Sequence, residues 1–122
     1  MIRVRTDAAV NGNPGKVGIG IEILYQKQQY LFKENSDQLM DNHQAELWAI
    51  YRALIILQEK QWHHEVIFLN SDSKFAMMAI EKNYTKQLAY QEFLKKVQRE
   101  RENFLQLFLE WIPEKENRGA DQ

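Results

Sequence analysis

Apolar and polar positions alternate from the second residue. Ile2, Val4 and Thr6 interleave with Arg3, Arg5 and Asp7, a period of two that predicts a strand with one apolar face and with Asp7 at its C-terminal end on the polar face. Asn11-Gly12-Asn13-Pro14-Gly15 then concentrates residues that tolerate or impose turn dihedrals, and Val17 to Tyr25 is rich in branched residues, so a hairpin is expected. A second turn at Gln26 to Gln28 leads into a strand over Gln29 to Glu34, completing a three-stranded antiparallel meander. The polar stretch Asn35 to Asp41 reads as a loop.

The period changes after that loop. Asp41 followed by Gln44 has the spacing of a capping box, and Gln44 to Lys60 is free of Gly and Pro and rich in strong helix formers. Glu65 opens a short apolar run ending at Leu69, the pattern of a strand buried on both faces. Asn70-Ser71-Asp72-Ser73 suits the start of a second helix, Lys74 to Lys82. Tyr90, Phe93, Leu94, Val97 and Phe104 recur at helical spacing and mark a third helix ending near Asn103. Leu105 to Ile112 reads as a last strand closed by Pro113. Three strands, a helix, a strand, two helices and a strand predict an α/β fold of the mixed α+β kind. Its sheet would be antiparallel on one side and parallel on the other, with helices against it.

Composition narrows the chemistry. The 122 residues suit one compact domain, 1–122, with no repeat or linker, and 44% hydrophobic with 27% charged residues is the balance of a chain that folds. No apolar stretch approaches the roughly 20 residues of a membrane-spanning helix, and the alternating start lacks a signal-peptide core, so a soluble, cytoplasmic protein is expected with no membrane association. With Cys 0, disulfides, thiolate zinc sites and a catalytic cysteine are excluded, and any metal must be held by oxygen or imidazole. The net charge of -1 argues against a general electrostatic affinity for nucleic acid, so such binding must come from local geometry. Gly-x-Ser-x-Gly, a phosphate-binding loop and His-Glu-x-x-His are all missing.

With 17 acidic residues in the chain, position rather than presence must single out a functional carboxylate. Asp7 and Asp72 fall at the ends of the first and fourth strands, the edge where such sheets place ligands, or they are simple caps. Glu46 is more telling, because Ile50, Ala53 and Leu57 lie within about 40° of it at about 100° per residue, which sets a carboxylate amid an apolar stripe. Such a residue needs a partner, or else only the positive end of the helix dipole. His43, three residues before Glu46, lines the helix start rather than serving as a ligand, and His63-His64 read as an exposed turn.

Four segments together carry a resemblance: Thr6 to Gly15, Asn42-His43-Gln44-Ala45-Glu46-Leu47, Ser71-Asp72-Ser73, and Trp111-Ile112-Pro113 through Asn117-Arg118-Gly119-Ala120-Asp121. In order and spacing they resemble the successive motifs of type 1 ribonuclease H, across essentially the whole chain. The resemblance implies a five-stranded mixed sheet flanked by helices, with the family's C-terminal helix cut short after Asp121. It implies that Asp7, Glu46, Asp72 and Asp121 are catalytic and metal-binding. Asn13 and Asn42 match positions that touch the minor groove of an RNA/DNA hybrid, and Ser73, Lys95 and Lys96 complete the expected substrate contacts. The implied cofactor is Mg2+, two ions, with Mn2+ as a substitute, and the implied partner is the hybrid, with no obligate protein partner.

The implied reaction is hydrolysis of the RNA strand by a two-metal mechanism, for which carboxylates are the hard oxygen ligands Mg2+ prefers. The sequence departs from the family pattern in three places. Ala8 stands where many relatives have Gly, Glu114-Lys115-Glu116 lacks the loop His of well-studied bacterial members, and the extended basic handle is absent, leaving Lys95, Lys96, Arg99 and Arg101 as a modest positive stretch. Two other readings stay open: a weak or inactive module that binds hybrid or duplex RNA, and another phosphoryl-transfer enzyme such as a resolvase or exonuclease.

Overall fold

A computed structural model describes residues 1–117. In chain order they form β1 (Ile2–Gly12), β2 (Gly15–Tyr25), β3 (Gln28–Met40), α1 (Asn42–Glu59), β4 (Val66–Ser71), α2 (Lys74–Lys82), α3 (Leu88–Arg101) and β5 (Gln106–Trp111), followed by a short 3-10 turn at Glu114–Glu116. The strands make one sheet in the order β3-β2-β1-β4-β5, antiparallel through β3, β2 and β1 and parallel through β1, β4 and β5. This is the mixed sheet expected from the order of elements.

The β1–β2 connection is shorter than its turn-rich sequence suggests, because Gly12 pairs directly with Gly15 and only Asn13-Pro14 remains as loop. Glycine is required at both ends. Gly12 has φ +114, and a Cβ on Gly15 would overlap the carbonyl of Asn11. The expected loop over 35–41 is corrected: β3 runs on to Met40, with Asn35 and Ser36 paired to Gly18 and Val17 and a register shift between Gly15 and Val17. A polar segment can hold an edge position because the ladder is made by backbone groups and its side chains can stay in water. Arg52 of α1 also ties this edge down, donating from Nε and Nη2 to the two carboxylate oxygens of Glu34 at 2.7 and 3.1 Å.

Other boundaries shift less. Asn70 and Ser71 belong to β4 rather than to a turn, and α3 stops at Arg101, leaving Phe104 in the connection to β5. The capping box forms as read: Asp41 Oδ1 accepts from Gln44 N–H and Gln44 Oε1 accepts from Asp41 N–H, both at 2.9 Å. Tyr90 of α3 adds a hydroxyl donated to Asp41 Oδ2 at 2.6 Å. The N-terminus of α1 is therefore pinned by the element it packs against.

The core lies between the helices and one sheet face, where Ile2, Val4, Ile21, Ile23, Ile67 and Leu69 form one cluster with the buried residues of the three helices. Buried positions on α1 run from Ala45 through Leu57 and cover roughly 200° of its circumference, because α3 closes over the side facing away from the sheet. Glu46 sits inside that arc.

Candidate active site

Three elements converge where the parallel part of the sheet ends; Asp7 is not at the C-terminal end of its strand, as the alternation suggested, but midway along it, because β1 runs on to Gly12 against β2. β1 carries Asp7 one residue beyond Thr6, its last partner on β4, and the chain leaving β4 carries Asp72 one residue beyond Ser71. α1 carries Glu46, just past its first turn, over the same corner, and its carboxylate accepts a hydrogen bond from the backbone N–H of Ala8. One carboxylate oxygen from each of Asp7, Glu46 and Asp72 lies within 4.8 Å of the other two, and all three side chains are half-buried. Asp121 lies outside the described residues.

The electrostatics follow from this crowding. Two unit charges at such a separation repel by about 3–4 kcal/mol at an effective dielectric near 20, so a metal-free cluster cannot keep every carboxylate ionised cheaply. Glu46 takes the proton. Burial first and the Asp72 charge second push its carboxyl up to about 8, against a smaller opposing effect of the Ala8 N–H. Its second oxygen, Oε2, is buried without a hydrogen-bond partner. An acidic cluster of three carboxylates with one of them neutral, an unpartnered buried oxygen and only hard oxygen donors fits a divalent cation such as Mg2+.

The sheet beside Asp7 is low. Gly20 is paired with Asp7 and Gly18 with Ala9, and together with Asp7, Lys33 and Asn35 they border a groove of about 240 Å³. Flanking small residues of this kind let a polymer backbone approach the acids closely.

The remaining sequence-predicted residues are distributed around this corner. Asn42 is exposed as the first residue of α1, and Asn13 is exposed at the tip of the β1–β2 hairpin. Ser73 is occupied as the N-cap of α2, its hydroxyl accepting from Ala76 N–H at 3.1 Å. Lys95 and Lys96 are exposed on α3, where Lys96 Nζ lies 5.6 Å from the centre of the Tyr51 ring. His43 stacks on Phe75 at 4.0 Å between ring centres and meets the edge of Tyr90, so it lines the helix start as read.

Two contacts were not legible in the sequence. The indole N–H of Trp111 donates to the carbonyl of Asp72 at 3.0 Å, and the Asn117 amide Nδ2 donates to the carbonyl of Thr6 at 2.8 Å. Both residues fall in the last motif, yet nothing in that motif indicates which backbone group each would reach.

Comparison with known proteins agrees with the geometry. The chain is 38% identical over 127 residues to a protein of Enterococcus faecalis named "Putative hydrolase EbsB", covering 99% of this chain and 89% of that one. Its fold superposes with a TM-score of 0.88 on RNase H1 from the halophilic archaeon Halobacterium salinarum, at 19% identity over 98% of this chain and 91% of the other. An equal TM-score of 0.88 relates it to LC11-RNase H1 in complex with an RNA/DNA hybrid, at 25% identity over 99% of this chain and 91% of that one. The sequence profile of the RNase H family matches residues 2–118, nearly the full length over which the carboxylate-bearing elements are laid out, and the chain belongs to that family.

Proposed function

We propose that this chain is a divalent-metal-dependent endoribonuclease that hydrolyses the RNA strand of RNA/DNA hybrids. The observation that carries this reading is the convergence of Asp7, Glu46 and Asp72 from three separate elements to within 4.8 Å, with Glu46 held near neutrality until a cation arrives. Family membership and the likeness to a hybrid-bound RNase H1 support the choice of substrate.

Asp7, Glu46 and Asp72 would hold Mg2+, with Asp121 as a fourth ligand carried over from the family motif. Bound there, a pair of ions supplies an activated water and charge stabilisation for the leaving oxygen of an in-line displacement. The protein's own contribution is placement. Ala8 N–H orients the Glu46 carboxylate, Ser73 caps α2 directly behind Asp72, and the glycines of β2 leave room for the sugar-phosphate chain beside Asp7. Asn13 and Asn42, both exposed, are read as donors and acceptors for the minor groove, where the 2′-hydroxyl distinguishes RNA from DNA.

The test is cleavage of labelled RNA/DNA hybrid, single-stranded RNA and duplex RNA, each with Mg2+, with Mn2+ and with EDTA. Metal-dependent cleavage confined to the RNA strand of the hybrid is expected. Tight hybrid binding without cleavage in either metal would instead establish a binding module, and cleavage of duplex RNA or DNA alone would move the protein to another phosphoryl-transfer class.

A further inference from the structure

The parallel ladder between β1 and β4 ends at Thr6 and Ser71, and the two acids come next on their chains. Beyond that last pair, the β1–β4 ladder no longer fixes the distance between Asp7 and Asp72. The end of β5 and the residues after it supply such a constraint. Ile112 N–H donates to the Ser71 carbonyl at 2.9 Å, extending the hydrogen bonding between β4 and the chain beside it by one step. Trp111 then donates its indole N–H to the Asp72 carbonyl, while Lys74 Nζ rests 4.9 Å from the centre of the indole. Pro113 and the 3-10 turn redirect the chain toward β1, where Asn117 donates to the carbonyl of Thr6, the residue immediately before Asp7.

The burial of the two side chains bears on what each contributes. Trp111 is 43% exposed, so its ring contributes less to the core than its N–H contributes to the direction of the Asp72 backbone. Asn117 is fully buried, its Oδ1 without a partner among the described residues, an arrangement that apolar packing alone would not favour and that the side-chain bond it donates to Thr6 helps to offset.

We propose that Trp111 and Asn117 are positioning residues for the metal site, a clamp on the backbone carbonyls of Asp72 and Thr6 that sets the spacing of Asp72 and Asp7. The proposal rests on the reading of Asp7, Glu46 and Asp72 as metal ligands. Partners one step removed from metal ligands govern affinity by holding those ligands in place, and their loss commonly costs about 10–100-fold.

The experiment measures Mg2+ and Mn2+ binding by titration calorimetry for the full chain, Trp111→Phe and Asn117→Ala, beside thermal melts in EDTA and the metal dependence of cleavage. Trp111→Phe keeps an aromatic ring for Lys74 and loses only the N–H. It should melt in EDTA close to the parent and bind metal about tenfold or more weakly, with the cleavage midpoint moving to higher metal by the same factor. Asn117→Ala should show the same loss of affinity together with a lower melting temperature. Unchanged affinity in Trp111→Phe would overturn the proposal, even if Asn117→Ala fails to fold, as would a fall in melting temperature with affinity preserved. Failure of the parent chain to bind either metal would overturn the reading of the site itself, a result distinct from normal parental binding shared by the variants.

Discussion

Replacing Glu46 by Gln removes a carboxyl whose protonation answers to both burial and a neighbouring charge. In the metal-free protein this carboxyl is raised from 4.5 to about 8. Because the folded value is the higher one, the folded state gains stability from the bound proton. That contribution is fully present below pH 4.5 and is lost as pH rises through about 8. At about 1.4 kcal/mol for each tenfold change in proton affinity, the span corresponds to roughly 5 kcal/mol between pH 4 and pH 9. Glutamine stays neutral across the range. Its amide oxygen can take over the Ala8 N–H, and its NH2 group is no worse placed than the proton of the neutral acid. In EDTA, Glu46→Gln should therefore match the parent near pH 4 and exceed it increasingly toward pH 9. For a domain of this size 1 kcal/mol moves the melting temperature by about 3–5 °C, so the gap at alkaline pH should reach roughly 15–25 °C. The assay is a set of thermal melts from pH 4 to 9 with EDTA, repeated with Mg2+, which should raise the parent and narrow the gap. A variant less stable at every pH would show Glu46 to be a structural anchor through Ala8, and a difference independent of pH would refute the raised acidity constant.

Asp7→Asn and Asp72→Asn should each abolish hybrid cleavage while leaving melting in EDTA unchanged or higher, since each removes one charge from the crowded corner; a large fall in melting temperature would mark that residue as structural. Gly15→Ala should destabilise the protein by more than about 2 kcal/mol in denaturant titrations, because its Cβ would collide with the Asn11 carbonyl across the two-residue turn; a neutral outcome would mean that the hairpin relaxes. Lys95→Ala with Lys96→Ala should weaken hybrid binding and reduce the log-log salt slope by roughly 0.7–0.9 per lost phosphate contact, with turnover of bound substrate little changed; an unaltered slope would place the substrate away from α3.

By itself the sequence determined what depends on neighbours along the chain. The alternation in Ile2 to Asp7 set the faces of β1, the Asp41–Gln44 spacing set the cap of α1, and the spacing of Ile50, Ala53 and Leu57 placed Glu46 inside an apolar stripe. These are local regularities of backbone geometry, so periodicity suffices to read them. Partner and register are not encoded that way. Asn35 to Met40 looks like loop because its first four side chains are polar, and it became strand because β2 offered a backbone ladder to pair with. The carboxylates of Asp7, Glu46 and Asp72 come from positions far apart in the chain. Their approach within 4.8 Å, the proton that burial and the Asp72 charge hold on Glu46, and the hydrogen bonds from Trp111 and Asn117 exist only after the sheet order and the packing of α1 are fixed. Electrostatic and hydrogen-bond energies turn on separations of an ångström or less, and tertiary packing sets those separations.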